Sequence, residues 1–207
     1  MKLKVVIFDC DGVMFDSKSA NRTYYNHLLQ HFQQPPMDEE EVDFVHIHNV
    51  MESTRHIFRH SPDQDLDEVH AYREELGYLN FLKYMKMEED LIPFLEICKP
   101  RYQLAVSTSR TNTMEPILRI FKLQAYFSKV MTTENARHPK PAPDALLEIL
   151  DHCGCGADEA IYIGDSIIDR EHSAACDMRL IAFKNKELSA EYHVSSFMEI
   201  LELPPFQ

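Results

Sequence analysis

Carboxylates, hydroxyls and a lysine recur in this chain at spacings that permit chemistry. Asp9 and Asp11 stand two residues apart, and Gly12 follows them directly. Thr108 and Ser109 form a hydroxyl pair. Lys140 lies among prolines in the run HPKPAPD from His138 to Asp144. Gly164, Asp165 and Ser166 precede a further carboxylate, Asp169. Clustered carboxylates repel one another and call for a cation. An oxygen-only ligand set indicates a hard ion, most often Mg2+, with phosphate and water completing an octahedron. A hydroxyl with neighbouring backbone N–H groups can hold a phosphate oxygen. A residue preceding proline is pushed to extended conformations, so Lys140 offers a positive charge on a stiffened loop. Taken singly, each motif has an ordinary counterpart, because Asp-Gly makes turns and hydroxyls cap helices.

The patterning around these residues predicts what positions them. Val5, Val6, Ile7 and Phe8 are apolar without alternation, as in the central strand of a buried parallel sheet. Ligand sites in such sheets lie beyond the carboxyl ends of the strands, where Asp9 and Asp11 fall. Period-two geometry starts both carboxylates on the same side of the chain. Similar runs cover residues 4–8, 103–107, 130–132, 160–163 and 180–183, with helical patterns at 113–121, 144–153 and 170–176. A short sixth strand at 192–194 and a helix at 196–201 finish the series. Strand alternating with helix predicts an α/β fold, a Rossmann-like parallel sheet with helices on both faces. Adjacent central strands would bring Asp9, Asp11 and Asp165 together. A helix beginning at Ser166 would turn Asp169 back toward them. Gly12 and Gly164 are two of only five glycines, and both fall at strand tips, which suggests close backbone approach.

Residues 17–90 break the rhythm, for no strand pattern appears there. Tyr25, Leu28, Leu29 and Phe32 recur at helical spacing, as do Val69, Tyr72, Leu76 and Leu79. The expectation is an inserted all-helical cap at 17–90, with 1–16 and 91–207 forming the catalytic core. Residues 16–92 hold a net −9 of the chain's −13, a solvated acidic surface. That overall charge argues against nucleic acid and anionic membranes as partners. No apolar run approaches the roughly 20 residues of a membrane span. Cys10, Cys98, Cys153, Cys155 and Cys176 are odd in number and irregularly spaced, so no disulfide framework is implied. Reduced thiols and a strand in place of a signal peptide make cytoplasmic residence the expectation.

The segments DCDGVMFDS (9–17), the strand ending at Thr108, KPAPD (140–144) and GDSIID (164–169) occur in order and resemble the haloacid dehalogenase superfamily of phosphotransferases. The resemblance covers nearly the whole chain. The helical insertion is similar to the cap of the phosphoglycolate phosphatase and β-phosphoglucomutase branch. This resemblance implies that Asp9 is a nucleophile forming an aspartyl-phosphate, and that Asp11 is the general acid and base. It implies Mg2+ held by Asp9, Asp165 and the Asp11 carbonyl, with Thr108 and Lys140 binding the transferring phosphoryl group. Asp169 would support them, together with Gly12, Ser109, Gly164 and Ser166. The activity so implied is hydrolysis of a small phosphorylated metabolite. The alternatives are a sugar-phosphate mutase with the same nucleophile and metal, and a regulatory or binding member without catalysis. Acid catalysis by Asp11 would require its pKa to rise above the ordinary value of about 3.9. In the cap, Arg55 is the candidate for holding a second anionic group of the substrate. His46, His48, His56 and His60 read as surface or cap-packing residues. The sequence specifies no oligomeric state.

Overall fold

The computed structural model describes residues 2–207. The chain opens with β1 (Val5–Phe8) and β2 (Phe15–Asp16), then runs through four helices, α1 (Lys18–His31), α2 (Glu39–Ile47), α3 (Val50–Ile57) and α4 (Leu66–Leu76). After β3 (Lys86–Met87) strands and helices alternate: α5 (Leu91–Cys98), β4 (Gln103–Ser107), α6 (Met114–Ile120), β5 (Lys129–Met131), α7 (Asp144–Cys153) and β6 (Ala160–Gly164). The chain closes with α8 (Ile167–Ala174), β7 (Arg179–Phe183), β8 (Tyr192–Val194) and α9 (Phe197–Ile200).

Side-chain alternation explains why the central strands lie inside. Val6 and Phe8 of β1 enter one apolar cluster, Val5 and Ile7 the other. In β4, Leu104 and Val106 oppose Ala105, and in β6, Ile161 and Ile163 oppose Ala160 and Tyr162. Strands apolar on both faces must be covered on both faces. Helices α5, α6 and α9 cover one side, and α7 covers the other. Each such Val, Ile or Phe contributes about 1.5–3 kcal/mol by leaving water.

The six-stranded sheet is parallel throughout, in the order β5-β4-β1-β6-β7-β8. Counting only its own strands, this is the doubly wound order 3-2-1-4-5-6, whose connections reverse direction between β1 and β6. A crevice opens at that reversal, and the tips of β1 and β6 carry Asp9 and Asp165.

Between β2 and β3, α1–α4 and a 3-10 turn at Leu79–Tyr84 surround a separate apolar cluster that includes Leu28, Val42, Val45, Ile57, Val69 and Phe81. Asp38, Asn49 and Asp65 cap the starts of α2, α3 and α4 by accepting backbone N–H groups. An antiparallel ribbon pairs Phe15 with Met87 and Asp16 with Lys86 where the chain leaves and re-enters the main sheet. The expectation of no strand in 17–90 is therefore corrected at β3, where two residues are too few to show a period. Helix α5 also went unanticipated; Leu91, Phe94, Leu95 and Cys98 form its buried stripe, and Pro93 is tolerated in its first turn. Among the described residues, no helix is long and apolar enough to cross a membrane.

Candidate active site

Asp9 directly follows β1, and its backbone N–H donates to the Ile163 carbonyl of β6 at 2.9 Å. Its side chain is buried, with Oδ1 accepting from Lys140 Nζ at 2.7 Å. No donor among the described residues reaches Oδ2. Lys140 also donates to Asp169 Oδ1 at 2.8 Å and to the Tyr162 hydroxyl, so its three N–H groups are all committed. The Tyr162 hydroxyl is in turn 3.0 Å from both the Ser107 carbonyl and Asp169 Oδ1. Ser166 caps α8 and donates through Oγ to Asp169 Oδ2 at 2.8 Å. The backbone N–H groups of Asp165 and Ser166 reach the same oxygen at 3.2 Å. Asp169 is thus saturated by hydrogen bonds, the signature of a residue that orients its neighbours.

Carboxylate oxygens of Asp9, Asp165 and Asp169 lie within 4.8 Å of one another. Because Asp169 is spent on Lys140, Tyr162 and Ser166, Asp9 and Asp165 are the side chains with oxygens to offer a hard cation. Burial pushes the Asp9 pKa up to about 7 against the pull of Lys140. Burial, then repulsion from Asp169, Asp9 and Asp11, drives Asp165 well above the carboxylate range. Burial works against the Lys140 charge, but Asp169 and Asp9 outweigh it and its pKa is raised. A single ammonium among these carboxylates leaves a surplus of negative charge, which a divalent cation would relieve.

Two glycines make this crowding possible. Gly12 has φ +77°, and a Cβ there would stand 2.0 Å from Asp165 Oδ2. A Cβ at Gly164 would come within 2.4 Å of Asp169 Cβ. Gly12→Ala should therefore both strain the backbone and displace Asp165. Calorimetric Mg2+ titration is expected to show affinity weakened by about ten- to a hundredfold. Unchanged affinity would remove Asp165 from the ligand set.

Asp11 has a different environment from the one its sequence position suggested. Arg110 Nη2 and Nε donate to its two oxygens at 2.6 and 2.7 Å, and Ser17 Oγ donates as well. Burial alone would raise the Asp11 pKa, but the Arg110 charge and its hydrogen bonds prevail and the pKa is lowered. Acid catalysis by Asp11 would require the opposite shift; this arrangement favours its carboxylate form. Arg110 escaped the sequence reading, although it stands two residues beyond Thr108, because spacing alone does not show which way a loop arginine turns. Tyr162 escaped it as one member of an apolar run. Thr108 is buried at the tip of β4, its Oγ1 accepting from the Arg110 backbone N–H at 3.2 Å, and Ser109 is half-buried beside it.

A cavity of about 440 Å³ connects this floor to the helical segment above. Asp9, Asp11, Thr108, Ser109, Arg110, Asp165, Ser166 and Asp169 line its lower part. Tyr24, Tyr25, His46, His48, Arg73 and Tyr78 line its upper part. Arg55 does not line it and is exposed on α3, so its expected place opposite the site is corrected. Helical phase explains the outcome: Ser53, Thr54 and Ile57 take the buried face of α3, and Arg55 falls on the opposite one. His48 and His56 stack on the two faces of Phe44 with centroids at 3.8 Å, a packing role for both.

Residues 6–183 match the family of haloacid dehalogenase-like hydrolases. The chain is similar to a HAD-superfamily hydrolase of subfamily IA, variant 1, from Geobacter sulfurreducens PCA, with 34% identity, 97% of this chain and 98% of that chain covered, and a TM-score of 0.84. It is similar to the pyrophosphatase PpaX of Bacillus velezensis, with 27% identity over 81% of this chain and 77% of that protein. A predicted phosphoglycolate phosphatase from Haemophilus somnus 129PT shares the fold, at TM-score 0.86 and 18% identity with 98% of each chain covered.

Proposed function

The chain belongs to the haloacid dehalogenase-like hydrolase family, and within it we propose a Mg2+-dependent phosphatase that hydrolyses a small phosphorylated metabolite through an aspartyl-phosphate on Asp9. One observation carries this reading: Asp9 is fixed by Lys140 through Oδ1, while Oδ2 is unbonded in a cavity shared with Asp11, Thr108 and Asp165. The names of the relatives, a pyrophosphatase and a phosphoglycolate phosphatase, support phosphate hydrolysis as the reaction class.

In the proposed cycle, Asp9 Oδ2 attacks phosphorus and the bond to the leaving oxygen breaks. Asp11 delivers a proton to that oxygen. For this half it must first relinquish part of its grip on Arg110 and take up a proton. Water then attacks the aspartyl-phosphate, Asp11 accepts its proton as the carboxylate found here, and Asp9 is regenerated. Thr108 binds a phosphoryl oxygen. Lys140 orients Asp9 and offsets its charge, so that an anion can approach an anion. Direct contact of Lys140 with the phosphoryl group would require it to release one of its three present partners. Mg2+ held by Asp9, Asp165 and the Asp11 carbonyl would neutralise charge on the phosphoryl group. Residues 17–90 serve as the cap and 1–16 with 91–207 as the core. Free cysteines support a cytoplasmic setting.

Phosphate release from a panel of phosphorylated metabolites, measured with Mg2+ and with EDTA, tests the reading. Release is expected with Mg2+, lost in EDTA and restored by readdition. Equal rates in EDTA would overturn the metal requirement. Release from no compound would overturn the phosphatase.

A further inference from the structure

We infer that His172 is a positioning residue for the reaction: from the buried face of α8 it fixes Ser107 and Tyr162, and through them the side chains that hold the phosphoryl group and the nucleophile. This rests on the phosphatase reading and deepens it.

Helix α8 begins at the Ser166 cap and turns Asp169, His172 and Ser173 to its buried face, at the spacing of one helical turn. The helix that aims Asp169 at Lys140 thus presents an imidazole one turn further on. By strand alternation Ser107 shares the sheet face of Ala105, and Tyr162 lies on that face too. Apolar side chains fill most of it, so a buried serine and a buried histidine there need partners. They are each other's: Ser107 Oγ and His172 Nε2 are 2.9 Å apart. The imidazole also meets the Tyr162 ring in a T-shaped contact, with centroids 5.7 Å apart and planes at 84°. The carbonyls of Pro141 and Ala142 lie close to the ring without completing a hydrogen bond, and Nδ1 is buried and unbonded. His172 therefore borders the strand that ends at Thr108, the tyrosine that holds Lys140 and Asp169, and the loop that carries Lys140. Ser107 precedes Thr108 directly, and its carbonyl stands 3.0 Å from the Tyr162 hydroxyl, so a tilt of Ser107 would reach both. Burial and the Lys140 charge, against the pull of Asp169, push the His172 pKa down to about 4. The ring is thus neutral near pH 7 and its contribution is geometric. A directional bond in a low-dielectric interior fixes a neighbour's orientation, where an apolar side chain would only fill the space.

Vanadate tests this without turnover, because it adopts the five-coordinate geometry of a phosphoryl group in transfer. Vanadate and inorganic phosphate are titrated calorimetrically with Mg2+ present, and rates are measured on the best substrate of the metabolite panel. His172→Phe keeps a ring against Tyr162 and removes both nitrogens. It is expected to weaken vanadate binding and lower kcat by about ten- to a hundredfold, while phosphate affinity and KM stay within about threefold. His172→Gln keeps a polar group toward Ser107 and should recover most of the loss. Ser107→Ala should weaken vanadate by at least about threefold, and adding it to His172→Phe should cost little more. Unchanged vanadate affinity in His172→Phe, or an equal loss for phosphate and vanadate, would overturn the positioning role. Should His172→Phe fail to fold, Ser107→Ala decides, and unchanged vanadate affinity there would overturn it. Vanadate binding weakened in the variants, with no phosphate release from any compound by the wild type, would overturn the phosphatase and leave His172 in its role. Phosphate release with kcat and vanadate affinity unchanged in the variants would do the reverse.

Discussion

Asp9→Asn is expected to reduce phosphate release by at least about a thousandfold while the protein stays folded. The amide oxygen can still accept from Lys140, so the contact that now holds Asp9 at 2.7 Å survives. What disappears is the anionic Oδ2 needed to attack phosphorus. The substitution also removes a charge from a buried, crowded acidic cluster. Thermal melting without metal should therefore be unchanged or higher, whereas the stabilisation conferred by added Mg2+ should shrink. Comparing single-turnover phosphate release with melting curves in Mg2+ and in EDTA separates the two effects. Near-normal turnover in the variant would falsify covalent catalysis at this residue.

Lys140→Met should have the largest effect on stability. The ammonium is buried and serves two buried carboxylates at 2.7 and 2.8 Å. Removing one partner from such a set costs about 3–5 kcal/mol, because the remaining charges are left unpaired out of water. The pH dependence has a definite sign. Burial acts to raise the Asp169 pKa, but Lys140 and the hydrogen bonds of Ser166 and Tyr162 hold it below the ordinary value. A depressed carboxylate contributes stability above its unfolded pKa of about 3.9 and loses it as pH falls below that. The variant lacks the Lys140 part of this contribution. Its deficit should thus be greatest near neutral pH and narrow as the solution is acidified through the carboxylate range. Denaturant titrations of both proteins across that range measure it. A deficit independent of pH would mean that lost packing, not lost charge, dominates.

Much of this arrangement is local and was therefore visible in the residues themselves. Strand β1 follows from four apolar residues in a row, and Asp9 and Asp11 follow from their place at its end. Helix α8 begins where Ser166 can cap it and Asp169 can return a hydrogen bond, a reciprocity written within four positions. The inserted helices were visible as a change of period. Less visible were features set by where a side chain turns. Arg110 and Asp11 are 99 positions apart, and Lys140 and Tyr162 meet only because the loop after β5 folds over β6. Arg55 and Arg73 are both helical arginines in the insertion, and nothing in their neighbours' types decides which one faces the cavity. The phase of each helix against the apolar cluster around Leu28 and Val69 decides it.

The sequence by itself determined the order of the elements, the strand tips that bear carboxylates, and the glycines that let those tips approach, because each rests on short-range periodicity and backbone freedom. Only the tertiary structure decided which charges pair. Coulomb energy depends on distances between segments that the fold brings together, and those distances made Arg110 the partner of Asp11 and put Lys140 between Asp9 and Asp169.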